Sequence, residues 1–542
     1  MAEHVPSTSP TWLEAAVFYQ IYPQTYYDSN GDGIGDIPGI TSKLDYIQSL
    51  GVTACWLNPC FVSPFQDAGY DVADYYQVAP RYGTNEDLRR LFIEARKRGI
   101  RILLDLVPGH TSIQHPWFIE SCKAERNQYT DYYIWTDSAW TWEVPGYKVV
   151  SGYAPRDGCY ITNFFYSQPA LNYGFACPDP YKPWQQPVDA PGPMQVRQEI
   201  KNIVRFWLEM GASGFRVDMA ASLVKADPGH LETTKFWQEI RTYLDHEFPE
   251  AALVSEWGNP SEAIPAGFHM DFSIPFGMPG YTALLRKPYE KGPGGDQYGF
   301  AFFQSIGHGN IMEFMDEYLQ HYHNVLGKGF ISIPTGNHDI NPRLSKGRSF
   351  DEIELVFLFL LTMPGVPFVW YGDEIGMRSS DLPSKEGGYQ RTGARTPMQW
   401  TDGLNAGFSS ASPEGLYLPI DPSSDRPTVQ QQKNDPASLL NRVRRLVSIR
   451  KSHSALQASA SFDLLFAQPG KYPLVFQRAD ETGTFIVAVN PSAQVAEAEF
   501  PYPSSSYSET LYGIDGSLTY QHNSYTVRLP GISGGIYRIT LS

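Results

Sequence analysis

Short apolar runs alternate with longer amphipathic stretches through most of this chain. The apolar runs are rich in β-branched and aromatic residues, which favour strands, whereas stretches such as 85–99 and 195–211 repeat apolar residues at the spacing of a helix. Strands that alternate with helices are typical of βα units around a parallel sheet. The pattern places candidate strands at 16–23, 52–59, 100–108, 212–219, 251–257, 270–274, 329–336 and 366–372.

These βα units predict an α/β fold, specifically a (β/α)8 TIM barrel. Two regions depart from the alternation. Residues 111–193 are irregular and rich in Pro, Gly and Tyr, which predicts a subdomain inserted after the third strand. Residues 456–542 contain short alternating strands and turn residues, which predicts a C-terminal antiparallel β-sandwich. The barrel is thereby assigned to residues 1–110 and 194–455.

The charge of the chain narrows the choice of partners. Its 542 residues carry a formal net charge of −16. A negative field repels phosphate groups, so neither nucleic acid nor an anionic membrane surface is expected as a partner. A neutral or cationic ligand is easier to accommodate, and the sequence specifies no oligomeric state.

The cysteines and the first residues bear on location. Five cysteines, an odd number without metal-ligand spacing, favour reduced thiols over a disulfide framework. The first residues lack the basic and apolar segments of a signal peptide, and no apolar run is long enough to span a bilayer. We therefore expect a cytoplasmic protein.

Polar residues close four of the candidate strands. Because the carboxyl ends of barrel strands and the loops that follow them build the active site, these residues are expected to share one pocket. They are Asp105 with His110, Arg216 with Asp218, Glu256, and His338 with Asp339.

Asp218 and Glu256 end the fourth and fifth strands and suit the cleavage of an acetal. That reaction needs an ionised carboxylate at the anomeric carbon and a protonated carboxyl beside the departing oxygen, about 5 Å apart when configuration is retained. Arg216 lies two residues before Asp218, hence on the same face of the strand, where a guanidinium keeps the carboxylate ionised. His110 and His338 are suited to donate hydrogen bonds to sugar hydroxyls, and Asp339 to accept them.

Four segments around these residues resemble the conserved regions of glycoside hydrolase family 13, the α-amylase family. They are DLVPGH (105–110), GFRVD (214–218), LVSEW (253–257) and GNHD (336–339). The resemblance covers essentially the whole chain and implies a barrel with an inserted B domain and a β-sandwich C domain. It further implies that Asp218 is the nucleophile, Glu256 the acid/base and Asp339 the transition-state stabiliser, with His110, Arg216 and His338 as substrate-binding residues.

Three further segments are similar to oligo-1,6-glucosidases, α-glucosidases and trehalose or sucrose isomerising enzymes: DSNGDGIGD (28–36), QPALN (168–172) and ARTPMQW (394–400). This resemblance implies that Arg395 pairs with Asp71 of the GYD segment and closes the non-reducing end of the pocket. The neighbouring Tyr70 is assigned to substrate binding with them. A pocket closed there accepts a terminal glucose and excludes long chains, whereas the alternative is an ordinary structural ion pair.

The segment DSNGDGIGD also predicts a metal site. It sets oxygen-bearing side chains at alternating positions, with the Ile34 carbonyl available between them, and hard oxygen ligands at this density suit Ca²⁺. We expect one structural Ca²⁺ here; the alternative is a metal-free loop of Asx turns. The segment is not an EF-hand, because its twelfth position is Gly39. The side-chain ligands are Asp28, Asn30, Asp32 and Asp36.

Three positions depart from the family pattern. Gly109 stands where relatives usually carry Asn, and Ala170 where they commonly carry Asp. In many α-amylases these two positions help bind a Ca²⁺ between the barrel and the B domain, so that second site is not expected here. Met219 follows the nucleophile, where relatives often carry Val or Ala, and linkage preference therefore does not carry over.

Together these patterns predict a retaining α-glucosidase that hydrolyses short α-linked gluco-oligosaccharides or disaccharides from the non-reducing end, through a covalent glucosyl-Asp218 intermediate. The alternative is an α-glucosyl transferase or isomerase, similar to trehalose synthase or sucrose isomerase, that uses the same intermediate. A non-catalytic member, like the family's transporter-associated subunits, is disfavoured because the catalytic carboxylates are retained.

Overall fold

A computed structural model describes residues 9–286, 289–292, 295–387, 389–502, 506–514 and 516–541. At its centre is one parallel sheet, in the order β7-β6-β5-β4-β3-β2-β1-β8. Pro334, just beyond β7, forms a parallel bridge with Phe368 of β8, which closes the sheet and confirms the predicted TIM barrel. The strands are β1 (Phe18–Ile21), β2 (Ala54–Leu57), β3 (Arg101–Leu106), β4 (Gly214–Val217), β5 (Ala252–Ser255), β6 (Met270–Phe272), β7 (Phe330–Ser332) and β8 (Phe368–Trp370).

Helices surround the barrel and follow the amphipathic stretches of the sequence. One begins at Pro191, which suits a first turn because it lacks an N–H, and ends before Gly211, whose φ of 121° favours glycine. The α-helices are Pro23–Tyr26, Ile37–Ser42, Leu44–Ser49, Asn85–Lys97, Pro116–Ser121, Pro191–Met210, Leu231–Glu247, Pro260–Ala263, Gly280–Leu285, Met312–Val325, Phe350–Thr362, Val429–Gln432 and Leu439–Ser452. Across the described parts of the chain, none has the length and apolar character needed to cross a membrane.

Alternation along the barrel strands selects the side chains that reach the carboxyl-terminal opening. Leu103 of β3 and Val254 of β5 belong to the apolar cluster inside the barrel. Because successive side chains of a strand face opposite sides, the residues two positions further on share that inner face. These residues are Asp105 and Glu256, and the barrel interior therefore changes from apolar to charged at its carboxyl end.

The chain between β3 and the helix at Pro191 is irregular. It contains the short antiparallel pair Val149–Ser151 and Cys159–Ile161, and its Ala170 bridges to His110 at the end of β3. The inserted segment is thus bonded directly to the strand end that carries a candidate site residue. Two further antiparallel pairs are Phe61–Val62 with Asp74–Val78 and Tyr289–Gly292 with Gly295–Tyr298.

The C-terminal part folds into two antiparallel sheets, in the orders β9-β10-β11-β16-β13 and β12-β15-β14. Val475 and Ile486 of one sheet and Val527 of the other belong to one apolar cluster between the sheets. This arrangement agrees with the predicted C-terminal β-sandwich. The strands are β9 (Ser461–Phe466), β10 (Leu474–Asp480), β11 (Gly483–Asn490), β12 (Ala496–Pro501), β13 (Ser506–Tyr512), β14 (Leu518–Gln521), β15 (Ser524–Leu529) and β16 (Ser533–Leu541).

Candidate active site

A pocket of about 330 Å³ lies at the carboxyl ends of the barrel strands. It contains five of the residues predicted from the sequence together with residues that the sequence analysis did not select. The predicted ones are Tyr70, His110, Asp218, Glu256 and Asp339, and the others are Asp67, Phe164, Met219, Ala221, Ser222, Phe276, Tyr389 and Arg391. The pocket lining therefore combines charged side chains with apolar Phe and Met side chains.

Arg216 joins the two candidate catalytic carboxylates. Its Nη1 lies 2.9 Å from Asp218 Oδ1 and 2.9 Å from Asp105 Oδ1, and its Nη2 lies 2.6 Å from Glu256 Oε1. The guanidinium is only 1% exposed. Since one planar group contacts both Asp218 and Glu256, the two carboxyls are held side by side at the floor of the pocket.

Burial raises the pKa of both carboxyls, and it raises that of Glu256 further. Burial raises the pKa of Asp218 to about 7, against the opposing effect of Arg216. Burial raises the pKa of Glu256 to about 8, again opposed by Arg216 and assisted by the negative charges of Asp218 and Asp339. Of the pair, Glu256 therefore retains its proton more readily, which is what a general acid requires.

Asp339 is the most strongly ionised of the three carboxyls. Burial opposes its ionisation, but His338, Arg391 and Arg395 outweigh burial and hold its pKa well below the usual range. Its Oδ1 accepts from Arg391 (2.5 Å) and Arg395 (3.1 Å), and its Oδ2 lies 3.2 Å from His338 Nε2. Burial also lowers the pKa of His338, so a neutral ring accepts from Gln20 at Nδ1 (3.1 Å) and donates from Nε2 to Asp339.

Tyr70 and His110 are held by the loops around the pocket. The Tyr70 ring stacks on His338 at 5.2 Å between ring centroids, and its hydroxyl donates to Asp105 Oδ2 (2.9 Å). His110 contacts the Tyr70 carbonyl through Nε2 (3.1 Å) and the Asn163 side chain through Nδ1 (3.2 Å). Asn163 occupies the space beside Gly109, where an added Cβ would lie 2.6 Å from Asn163 Nδ2.

The predicted ion pair between Asp71 and Arg395 is wrong. The Asp71 carboxylate accepts hydrogen bonds from Ser63 Oγ (2.9 Å) and from the amides of Gln66 (2.9 Å) and Asp67 (3.1 Å). It therefore stabilises its own loop and does not line the pocket. Arg395 lies behind Asp339, where it donates to the His338 carbonyl at 2.7 Å. Both residues support the pocket from outside.

A different pair stands at the pocket edge, formed by Asp67 and Arg391. The Arg391 guanidinium bonds to Asp67 and to Asp339, and it stacks over the Tyr389 ring at 4.5 Å. Asp67 is only 4% exposed and also accepts from Gln168 Nε2 (2.6 Å). The signals in the sequence were a second Asp in QDAGYD and a second Arg in QRTGARTPMQW, but spacing alone does not show which member of each segment faces the pocket.

The glycine-rich segment 28–36 forms a series of tight turns. In each turn a side-chain oxygen accepts a hydrogen bond from the backbone amide two residues further on. The accepting residues are Asp28 (3.1 Å), Asn30 (2.9 Å) and Asp32 (2.9 Å). Asp36 caps the helix Ile37–Ser42 by accepting from the Gly39 amide. Within the described residues, no three His, Cys, Asp or Glu side chains are grouped closely enough to hold a metal ion, so a site here would depend on the Asn30 amide and on a backbone carbonyl as well.

The family model of the alpha amylase catalytic domain matches residues 20–459 of this chain. Among curated proteins, trehalose synthase/amylase TreS of Mycobacterium tuberculosis is 33% identical over 525 residues, covering 89% of this chain and 82% of that protein. Oligo-1,6-glucosidase of Parageobacillus thermoglucosidasius is 31% identical, covering 84% of this chain and 86% of that protein.

Solved structures agree with the sequence relatives. A mutant of trehalulose synthase MutB superposes with a TM-score of 0.78 and 26% identity, over 98% of this chain and 100% of that one. A mutant of isomaltulose synthase from Erwinia rhapontici, solved with its natural substrate sucrose, gives a TM-score of 0.78 and 25% identity over 98% and 100%.

Proposed function

Because the chain belongs to the α-amylase family of glycoside hydrolases, we propose that it hydrolyses short α-glucosides from the non-reducing end with retention of configuration. The observation that carries this proposal is the shared contact of Arg216 with Asp218 and Glu256. Two carboxyls side by side, of which Glu256 holds its proton more readily than Asp218, suit a double displacement.

Asp218 attacks the anomeric carbon while Glu256 gives its proton to the departing oxygen, which leaves a glucosyl-Asp218 ester. Water then attacks the same carbon and breaks the ester bond, which frees Asp218 as a carboxylate, while Glu256, now ionised, takes the proton of that water. Arg216 stabilises the negative charge that moves between the two carboxyls. Asp339, ionised throughout, accepts hydrogen bonds from ring hydroxyls of the glucosyl group as positive charge develops at the anomeric carbon.

We infer that the pair of Asp67 and Arg391 closes the non-reducing end, the role first expected of Asp71 and Arg395. Both groups line the pocket, both are buried, and Arg391 also bonds to Asp339. A fixed charged wall beside the glucosyl group leaves no path for further sugar units. The pocket volume of about 330 Å³ suits a small ligand, near the lower end of the range for small-molecule sites.

Transfer to a sugar acceptor is a second candidate function. It is supported by relatives whose names are trehalose synthase and by structural neighbours that are trehalulose and isomaltulose synthases. These activities share the glucosyl-enzyme and differ in whether water or a sugar hydroxyl reaches it. The apolar side chains of the lining, Phe164, Met219 and Phe276, would contact that acceptor.

We also propose one structural Ca²⁺ in the loop 28–36, held by Asp28, Asn30, Asp32, Asp36 and the Ile34 carbonyl. The support is chemical, since the segment is dense in the hard oxygen ligands that Ca²⁺ prefers. A cytoplasmic location likewise remains a proposal, supported by five free thiols.

Product analysis tests the main proposal. The enzyme is incubated with maltose, isomaltose, sucrose and trehalose, and the products and the anomer released first are followed by NMR. We expect α-glucose as the first product from at least one of these sugars. Release of β-glucose contradicts retention, and a new disaccharide in place of free glucose favours the transferase or isomerase.

A further inference from the structure

A buried carboxylate on β6 holds the segment that carries Glu256. Asp271 is fully buried and lies in register with Ser255 at the end of β5. Its Oδ1 accepts from Ser255 Oγ (2.7 Å), from the Trp257 amide (3.1 Å) and from the Gly258 amide (3.4 Å). One oxygen therefore bonds to residues on both sides of Glu256.

The Asp271 carboxylate continues the hydrogen bonding where the sheet ends. The register between β5 and β6 pairs Met270 with Val254 and Asp271 with Ser255, and it extends no further. Beyond that point the amides of Trp257 and Gly258 bond to the carboxylate. Buried amides without a partner are strongly unfavourable, so these contacts fix the course of the backbone just after Glu256.

The nucleophile strand holds the same residue from the opposite side. The Glu256 amide donates to the Val217 carbonyl (2.9 Å), and its own carbonyl accepts from the Ala220 amide (3.2 Å). Its Oε2 accepts from the Met219 amide (3.1 Å). Glu256 therefore lies between two supports, and the support on the β6 side is the Asp271 side chain.

Asp271 has features that a purely structural residue does not need. Its Oδ2 is buried and has no hydrogen-bond partner within the described residues. Burial raises its pKa to about 7, although the donors from Ser255, Trp257 and Gly258 oppose this. Such a carboxyl is retained at the expense of stability, and unfavourable groups of this kind occur preferentially where function requires them.

We propose that Asp271 is a positioning residue that sets the orientation of the Glu256 carboxyl without touching the substrate. The inference rests on the proposed function, in which Glu256 supplies the proton to the departing oxygen. It follows that losing the Asp271 contacts weakens acid catalysis specifically and leaves attack by Asp218 intact.

Two glucosyl donors, a disaccharide and α-glucosyl fluoride, distinguish a loss of acid catalysis by Glu256 from a loss of attack by Asp218. The departing sugar of a disaccharide needs a proton from Glu256, whereas the fluoride of α-glucosyl fluoride leaves without one. We expect Asp271→Ala to lower kcat/KM for the disaccharide by about 10-fold or more, a part of what general acid catalysis supplies, and kcat/KM for the fluoride by less than about 3-fold. Asp271→Asn keeps one acceptor oxygen and should shift the ratio of the two kcat/KM values in the same direction by a smaller factor.

Ser273→Ala is the matched control, because Ser273 follows on the same chain segment and its buried hydroxyl has no partner within the described residues. This variant should keep the wild-type ratio. If Asp271→Ala lowers kcat/KM for the disaccharide and for the fluoride equally, or lowers neither, the positioning role is overturned. If Asp271→Ala does not fold, an unchanged ratio in Asp271→Asn overturns it instead. A wild-type enzyme that cleaves neither donor contradicts the proposed function itself, and that failure is seen before any variant is measured.

Discussion

At the scale of single residues, the site depends on three carboxyls in three different environments. Arg216 contacts Asp218 and Glu256 together, whereas Asp339 faces Arg391 and Arg395. Acid residues at strand ends could be selected from the sequence because alternation and strand order place them on one face. Their protonation states could not, because those depend on burial and on charges from distant segments.

The pH dependence follows from the first two carboxyls. Asp218, with a pKa near 7, must be ionised, so kcat/KM should rise as pH increases through that value. Glu256, with a pKa near 8, must be protonated, so kcat/KM should fall as pH increases further. We expect a bell-shaped dependence of kcat/KM on pH, whose two limbs belong to the coupled pair of Asp218 and Glu256. With α-glucosyl fluoride as substrate, Glu256→Gln should lose the alkaline limb. A profile that stays flat between about pH 5 and about pH 9 contradicts these assignments.

The pair of Asp67 and Arg391 gives a prediction about the length of the oligosaccharides that the enzyme uses. Arg391→Ala leaves Asp67 buried without its cation and opens the non-reducing end, so kcat/KM for a disaccharide should fall about 10-fold or more, as expected for a lost buried ion pair. Relative use of maltotriose and longer oligosaccharides should rise. Arg90→Ala removes an exposed surface pair with Asp87 and should change neither quantity. If Arg391→Ala and the wild type use oligosaccharides of different lengths in the same proportions, the pair does not close the non-reducing end.

At the scale of elements, the strands and long helices were predictable and the loops were not. The strands of the barrel lie within the predicted runs, because apolar periodicity reports burial directly. The choice of Asp71 over Asp67 failed because Phe65 and Ala68 adopt positive φ, which ordinary side chains rarely do, and the resulting turn presents Asp67 to the pocket. The same turn directs amides at Asp71, and no local pattern signals this.

The loop 28–36 gives a prediction at this scale. If it binds Ca²⁺, metal analysis should find about one ion per chain, and chelation should lower Tm, because a ligand of the folded state stabilises it by mass action. Disaccharide kcat/KM measured well below Tm should not change, because the ion is assigned no catalytic contact. Asp32→Asn, which removes one ligand charge, should weaken the response of Tm to added Ca²⁺. A metal-free protein whose Tm ignores both chelator and Ca²⁺ contradicts the site.

At the scale of the whole molecule, one buried arginine, Arg478, joins the C-terminal sandwich to the barrel. Arg478 of β10 donates to carbonyls of Thr362, Gln457, Ala460 and Ser461, and Thr362 ends a barrel helix. The sequence predicted the sandwich but not its attachment, because a lone Arg in an alternating strand looks like a solvent-facing residue.

Arg478→Met should therefore destabilise the protein by about 3 kcal/mol or more, since several buried carbonyls lose their donor. Thermal unfolding measures this as a lower Tm, and kcat/KM well below Tm should stay near the wild-type value. Arg445→Met is the control, because Arg445 makes an exposed contact with the Leu511 carbonyl. A Tm of Arg478→Met equal to that of the control contradicts the proposed attachment.

Trapping the glucosyl-enzyme identifies the nucleophile. A 5-fluoro-α-glucosyl fluoride transfers its sugar to the nucleophile and is released slowly, so the adduct accumulates and can be located by mass spectrometry of peptides. We expect one added fluoroglucosyl group on Asp218 and none in Asp218→Asn. A label on any other residue, or unchanged labelling in Asp218→Asn, would contradict this assignment.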